Sequence, residues 1–369
     1  MRDFIKRNYN HFNAGELSRC IESLRDFLDK DGRLMITLAG AMSTAEIGKT
    51  LSPAIKAQKI HAICCTGANL EEDLFNLVAS SDYEKITNWR ELTPLDDLNL
   101  HDRGLNRVTD VAIPEHRAIR YVEDKIMALW KDAEAAGDRR FPHEYIYDLL
   151  MHGDLEFDGD PDDSWLMAAA DANIPIFTPG WEDSTLGNIL VARVIDLSIS
   201  SQDIVLSGLH SMQALADWYR EDDSPTGILQ VGGGIAGDFP MCVVPMLRQD
   251  VGINVRLWSW FAQISESRPS YGGYSGAPPS EKISWGKIST ETPRFVIESD
   301  ATIVLPLILQ SIVENCSNKS TLILKPLFFY PDQLIVFRSS VRPSRSTCLY
   351  PTTSSSYCQI GYGAVTGFT

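Results

Sequence analysis

Short apolar runs that end in small-residue turns recur along this chain of 369 residues, and they constrain its fold more than any other feature. The runs with their turns cover residues 34–40, 61–69, 174–183 and 226–234. Each run has the length of a buried strand, and helical patterns lie between the runs. Alternating strands and helices predict an α/β protein with a parallel sheet flanked by helices.

The helical segments have their own signals. Leu17, Ile21, Leu24 and Leu28 lie at helical spacing and predict an amphipathic helix. Ser43 followed by Glu46 has the spacing of a capping box, which predicts that a helix begins there. Further helices are expected over residues 114–136 and 164–172 and within residues 202–219, and a strand is expected over residues 255–264.

Composition narrows the classes of partner. The formal net charge of −16 repels phosphate backbones, so we expect no nucleic-acid partner. No window approaches the ~18–20 apolar residues that cross a bilayer, and the first residues lack the apolar core of a signal peptide. The seven cysteines form no CxxC pair and the seven histidines form no HxxxH pair. We therefore expect a cytoplasmic protein without structural disulfides or a metal site.

Polar and small residues follow several of the predicted strands. Thr66 and Glu72 follow one strand, Asp183 follows another, and Gly232-Gly233-Gly234 follows a third. Ligands bind at this edge of open α/β sheets, and a glycine turn lets backbone approach a phosphate. The same residues also suit structural roles, since acids complement helix N-termini and glycines form tight turns. Taken singly, these patterns leave both interpretations open.

Ser284-Trp285-Gly286-Lys287-Ile288 is the sharpest local motif, and it follows a Gly-, Pro-, Ser- and Tyr-rich loop at residues 265–280. A loop of that length inside a domain is usually functional or disordered. A lysine packed beside tryptophan can lose its solvation, and the neutral amine can then form a Schiff base. The alternative is a surface lysine beside a packed tryptophan.

In combination, these segments resemble the deoxyhypusine synthase family from about Tyr9 to Leu307. The motif at residues 284–288 matches the active-site lysine motif of that family. The other matching segments are residues 66–74, 104–108, 175–187, 231–234 and 275–283. Several ordered motifs across some three hundred residues make this resemblance specific.

The resemblance implies a Rossmann-like fold, bound NAD, and a homotetramer built from dimers with active sites at the dimer interface. It implies that NAD takes a hydride from the aminobutyl part of spermidine, a polyamine, and that a lysine captures the four-carbon unit as an imine. That unit then passes to an acceptor lysine of a protein, a translation factor precursor, in hypusine formation. Covalent capture keeps a reactive imine from water.

The resemblance also assigns roles by position. Lys287 is implied as the covalent carrier, Trp285 as the wall beside the amine chain, and Glu281 as an acid that contacts the substrate amine. The residues implied at the substrate site are Ser275, Asp238 and Asn188. The residues implied at the cofactor site are Thr66, Glu72, Asp183, Gly232, Gly233, Asp300 and Ala301.

Several polyamine-binding positions depart from the family. Asp238 stands where the family has histidine, and Cys242 replaces an asparagine. Tyr271, Tyr274 and Asn188 each replace an acidic residue. Losing carboxylates weakens recognition of a fully cationic triamine. The chain therefore resembles the divergent, mainly prokaryotic deoxyhypusine-synthase-like branch.

The division of the chain follows from the same comparison. Residues 1–308 are expected to form the catalytic domain, and residues 309–369, rich in Ser and Thr, an atypical and poorly packed tail. Three functions stay open: an aminobutyl transferase whose acceptor is a protein lysine or, as in homospermidine synthase relatives, a small amine; a non-catalytic NAD-binding protein; and an amine dehydrogenase that releases its imine to water.

Overall fold

The computed structural model of the chain describes residues 1–314. Within these residues, nine strands lie in two sheets. Their bounds are β1 Arg33–Leu38, β2 Ala62–Cys65, β3 Glu84–Lys85, β4 Leu105–Val108, β5 Val111–Pro114, β6 Ile176–Phe177, β7 Thr226–Val231, β8 Trp260–Ile264 and β9 Arg294–Ile297.

The larger sheet has six strands in the order β6-β2-β1-β7-β8-β9, and every neighbouring pair is parallel. The chain moves outward from β1 through β2 to β6, then returns to the other side of β1 for β7, β8 and β9. This is the doubly wound order, in which the reversal between β1 and β7 opens a crevice at the carboxyl ends of those strands. The predicted α/β class with a Rossmann-like parallel sheet is confirmed.

Fourteen α-helical segments accompany the strands in the described part of the chain. Their bounds are α1 Arg2–Asn8, α2 Phe12–Leu28, α3 Gly48–Lys56, α4 Gly67–Ala79, α5 Pro94–Asp102, α6 Tyr121–Ala136, α7 Pro142–His152, α8 Trp165–Ala172, α9 Thr185–Ile195, α10 Gly208–Glu221, α11 Gly234–Met241, α12 Val243–Pro245, α13 Glu281–Ser284 and α14 Ala301–Val313.

Both faces of the large sheet are covered. Leu34, Ile36 and Leu38 of β1 belong to one buried apolar cluster, whereas Met35 belongs to a second cluster. Successive side chains of a strand point to opposite faces, so this division places one cluster on each face. Parallel strands buried on both faces are apolar throughout, which is why the sequence shows continuous apolar runs.

The structure differs from the local predictions in several places. Ser43 does not cap a helix, because residues Met42–Ala45 form a 3-10 turn and the Ser43 hydroxyl donates to the backbone oxygen of Asn69. The predicted helix over residues 114–136 begins only at Tyr121. It is preceded by β5 and a π-helical turn, Glu115–Arg120. The antiparallel sheet β3-β5-β4 was not predicted, because its strands are only two to four residues long.

The predicted boundary after residue 308 falls inside a helix. The apolar α14 continues through Leu309 to Val313, and both Ile308 and Leu309 are buried. The rest of the predicted poorly packed tail, after this helix, lies outside the described residues. Within residues 1–314, no helix is both long and apolar enough to cross a membrane.

Candidate active site

The predicted site residues collect at the carboxyl edge of the large sheet. Thr66 follows β2, Asp183 lies in the turn after β6, and Gly232 follows β7. Ser275 lies in the loop after β8, and Asp300 follows β9. Since parallel strands end at one edge, residues spread over the sequence reach the edge where open α/β sheets bind ligands.

Helix α4 carries three buried acids with different partners. Glu71 accepts the backbone N–H of Thr185 and of Leu186, each at 2.7 Å, and thereby caps α9. Asp73 accepts from the Ser164 hydroxyl at 2.5 Å and caps α8. Burial raises the pKa of Glu71 to about 7 and that of Asp73 to about 6. These two acids therefore join α4 to the N-termini of α8 and α9.

Glu72 is the acid of this trio that the resemblance assigns to the cofactor. Its carboxyl accepts from the Thr44 hydroxyl, and burial raises its pKa. Thr66 begins the same helix: its hydroxyl accepts from the Asn69 N–H and donates to the Gly40 oxygen at 2.7 Å. The Asn69 amide also bonds to the Gly40 oxygen, at 2.8 Å. The start of α4 is therefore fastened to the turn after β1, on one side of the crevice.

The triple-glycine turn forms the other side of the crevice. Gly232 has a φ of +76°, a conformation that glycine adopts without strain. A Cβ on Gly233 would lie 2.0 Å from the Ser275 hydroxyl oxygen. Only glycine allows the loop after β8 to pack this closely on the turn. The predicted substrate residue Ser275 and the predicted cofactor residue Gly233 are therefore in direct contact.

Lys287 is positioned by a helix-terminating turn. Gly286 ends α13 with a φ of +68°, its N–H donates to the Ile283 oxygen, and the Lys287 N–H donates to the Lys282 oxygen, both at 3.0 Å. This pair of bonds is a Schellman motif, which brings the side chains at Lys282 and Lys287 to the same side of the turn. The glycine of the Trp-Gly-Lys segment thus has a geometric role: it supplies the left-handed residue of the turn.

The Lys287 side chain is buried, and its Nζ lies 2.8 Å from the Asp238 Oδ1. Both residues line a cavity of about 430 Å³. Glu281 and Trp285 line the same cavity, so the structure brings together the three predicted catalytic residues and Asp238. The Lys287 Nζ lies 5.8 Å from the centre of the Trp285 ring, and Trp285 itself is 65% exposed.

Two replaced polyamine positions also belong to this cavity. The Tyr274 ring lies 5.8 Å from the Lys287 Nζ, and its hydroxyl donates to the Gln230 side chain at 3.1 Å. The Cys242 thiol lies 3.8 Å from the Asp238 Oδ1, and burial raises its pKa. Tyr271, by contrast, is 75% exposed. An aromatic ring and a thiol therefore line the space where the family has acid and amide groups.

Sequence reasoning missed Lys282. This side chain is buried and lines the same cavity, with Nζ 4.7 Å from the Phe261 ring and 4.8 Å from the Tyr274 ring. Within residues 1–314 its Nζ has no hydrogen-bond acceptor and no ion-pair partner. Burial lowers the pKa of Lys282 to about 8. The signal in the sequence was a second lysine five residues before Lys287, the spacing that a Schellman turn brings together.

Other predicted residues do not reach this cavity in the same chain. Asn188 is exposed on α9, where its amide donates to the Ser184 oxygen at 2.6 Å. Asn188 and Asp183 follow β6, at one edge of the sheet, whereas the Lys287 segment pairs near β8, toward the other edge. Asp300 caps α14 by accepting from the Thr302 N–H at 2.8 Å, directly before Ala301.

The crevice between β1 and β7 suits a dinucleotide. Gly40 and Gly234 both have positive φ, and a Cβ on either would meet no atom within 4 Å. Backbone is therefore open to a ligand on both sides of the reversal point, and the N-terminus of α11 starts there. Helix N-termini beside glycine turns favour phosphate groups. The geometry fits the cofactor that the resemblance implies.

The fold and this edge define a doubly wound α/β protein with a lysine-bearing cavity next to its ligand crevice. The family model described as deoxyhypusine synthase matches residues 6–312, and the chain belongs to the deoxyhypusine synthase family. Membership in this family supports an aminobutyl transferase in general.

Named relatives agree with this assignment. A "Deoxyhypusine synthase-like protein" of Nostoc punctiforme is 29% identical over 328 residues, covering 85% of this chain and 80% of the relative. A "Probable deoxyhypusine synthase" of Aeropyrum pernix is 28% identical, covering 84% and 93%. The crystal structure of "a putative deoxyhypusine synthase from Entamoeba histolytica" aligns with a TM-score of 0.50 at 12% identity, covering 81% and 87%, and supports the fold alone.

Proposed function

We propose that this chain is an NAD-dependent transferase that moves an aminobutyl group from spermidine or a related polyamine to an acceptor amine, with Lys287 as the covalent carrier. The observation that carries the proposal is the buried Lys287 amine in a 430 Å³ cavity, 2.8 Å from Asp238. A buried amine that faces a cavity is the arrangement that imine chemistry requires.

Different residues of the chain would bind the cofactor, carry the aminobutyl group and accept a proton. When bound, NAD would supply the hydride acceptor and donor that converts the amine to an imine and back. Thr66, Glu72, Asp183, Gly232, Gly233, Asp300 and Ala301 would hold it. A bond forms between the Lys287 Nζ and the imine carbon, the bond from that carbon to the diamine breaks, and the diamine leaves with a proton. Asp238 orients Lys287 and is the nearest acceptor for its proton.

The residues that line the cavity indicate which kind of donor amine would bind there. Glu281 and Asp250 line it, and carboxylates at its rim attract a cationic chain. Tyr274 and Trp285 offer aromatic faces to an ammonium group. Ser275 completes the loop side of the site. This set has fewer carboxylates than the family uses, which supports a donor with fewer charges than spermidine as the alternative.

The acceptor has two candidates. A protein lysine, as in hypusine formation on a translation factor precursor, needs an open site, and the 65% exposure of Trp285 supplies an open wall. A small amine, as in homospermidine synthase-like enzymes, is favoured by Tyr274 and Cys242, which make the cavity less acidic. Both acceptors use the same carrier.

The assembly is part of the proposal. Asn188 and Asp183 lie toward the opposite sheet edge from Lys287, so a complete site would form where two chains meet. Association of such dimers into a homotetramer in the cytoplasm follows the pattern that the family resemblance implies.

Borohydride trapping tests the carrier. We expect protein incubated with NAD and spermidine labelled in its aminobutyl part to retain label after reduction, mapped to Lys287. Lys287→Ala should lose the label, whereas Lys131→Ala, at an exposed lysine of α6, should keep it. Equal label in wild type and Lys287→Ala would reject the role of Lys287.

Two other experimental results would identify the alternative functions, an amine dehydrogenase or a non-catalytic NAD-binding protein. NADH that accumulates with spermidine, without a transferred product, identifies an amine dehydrogenase. NAD binding without turnover across a panel of amines identifies a binding protein.

A further inference from the structure

The cavity contains two buried lysines, and Glu281, Asp250 and Asp238 line it. Within residues 1–314, only Asp238 lies within ion-pair distance of either lysine amine. Lys287 pairs with Asp238 at 2.8 Å, while Lys282 has only the faces of Phe261 and Tyr274 for its ammonium group. The Schellman turn at Gly286 joins the backbones of the two lysines through the Lys287 N–H to Lys282 oxygen bond, so both side chains extend from one short turn. The negative charge of Asp238 can therefore balance the positive charge of one ammonium group and not of both.

The groups that face Lys282 are few. Lys287 lowers its pKa by repulsion, after the larger effect of burial, while Asp238 and Glu281 act in the opposite direction. The Tyr274 hydroxyl has a pKa raised by burial and stays neutral. The Cys242 thiol, also with a raised pKa, lies beside Asp238. Burial and the second lysine thus outweigh the two acids.

We propose that Lys282 is a positioning residue: its ammonium charge leaves the buried lysine pair one close carboxylate short and so favours release of the proton from Lys287. Because the charge of Lys282 repels the Lys287 ammonium group and opposes its pairing with Asp238, more of Lys287 is neutral and able to attack an imine or carbonyl carbon. A cationic neighbour is a known physical means of keeping a lysine reactive. This inference rests on the proposed role of Lys287 as carrier.

Reductive methylation measures the effect without polyamine or NAD. Formaldehyde and cyanoborohydride convert a neutral lysine amine to its methylated form, and peptide mass spectrometry gives the rate at Lys287 in the full chain. At pH 7.5 we expect Lys282→Met to slow methylation of Lys287 about tenfold, since the repelling charge beside Lys287 is then removed and Lys287 holds its proton more tightly. The difference should vanish at strongly alkaline pH, where every lysine loses its proton.

Two further variants separate charge from packing. Lys282→Arg retains the positive charge, and we expect it to keep the rate within about twofold of wild type. Asp238→Asn removes the carboxylate, and we expect faster methylation of Lys287 than in wild type. The exposed Lys131 gives the reference rate in each sample.

The outcomes are distinguishable. A wild-type rate at Lys287 in Lys282→Met overturns the inference, as does slowing that persists at alkaline pH, because that pattern reports access and not charge. Equal slowing by Lys282→Arg and an unchanged rate in Asp238→Asn would each overturn it as well. A failed spermidine trapping experiment together with the expected methylation pattern would reject the transferase and leave the lysine pair intact.

Discussion

At the residue scale, burial of the Lys282 ammonium group lowers the stability of the folded chain. A buried ammonium group without a counterion is expensive, and two aromatic faces return only part of its hydration energy. The pKa of Lys282 falls from its usual 10.5 to about 8 for this reason. Such a residue is more easily explained by what it does to Lys287 than by any contribution to folding.

We predict that Lys282→Met raises the free energy of unfolding at pH 7 by about 1–3 kcal/mol, because each pKa unit corresponds to about 1.4 kcal/mol. In wild type the full cost is present below pH 8. Between pH 8 and 10.5 the unfolded chain binds more protons than the folded chain, so stability rises with pH. The variant should lack that rise. Chemical denaturation across this range measures both effects, with Lys131→Met as the exposed control.

At the element scale, α4 is the part of the sheet edge on which the crevice depends. Its N-terminus is fastened to the turn after β1, and its acids cap α8 and α9 across the fold. A helix N-terminus leaves unpaired backbone N–H groups, and an acid from a neighbouring helix can satisfy them. Asp183 lies directly before α9, so the capping by Glu71 also holds a predicted cofactor residue in place.

We predict that Glu71→Gln lowers the free energy of unfolding by about 1–3 kcal/mol, because the amide nitrogen cannot accept the second backbone N–H of α9. Denaturant titration measures the change. Glu221→Gln, at an exposed glutamate at the end of α10, is the matched control. Equal stability of the two variants would show that the cap at α9 contributes nothing.

At the scale of the whole molecule, sheet order separates the predicted site into two groups. Asp183 and Asn188 follow the edge strand β6, and the Lys287 segment lies beside β8, four positions away in the sheet. A symmetric dimer places one edge of each chain against the partner, and each site can then draw on both chains.

We predict that mixing two inactive variants restores activity. Lys287→Ala and Asp183→Ala chains, unfolded together and refolded at equal amounts, should give about a quarter of wild-type transferase activity, because half of the dimers are mixed and each mixed dimer has one intact site. The separately refolded variants are the control. No restoration, with mixed dimers present by mass spectrometry, would show that each site uses Lys287 and Asp183 of one chain.

The sequence determined a good part of this protein. Apolar runs with small-residue turns were sufficient to predict the parallel sheet, since a strand buried on both faces has no alternating polar positions. The order of the motifs was sufficient to assign the family and to place Lys287, Trp285 and Glu281 at one site. Short elements such as β3 escaped prediction because two residues carry no periodicity.

Only the tertiary structure decided which partners those residues have. Glu71 and Asp73 have the same local sequence context as Glu72, yet they cap other helices, because their partners lie about a hundred residues away along the chain. Lys282 became notable only when the turn at Gly286 placed it in the cavity beside Lys287, where its amine has no ion-pair partner within residues 1–314. Burial and charge balance depend on distances in space, which the spacing of residues along a chain does not fix.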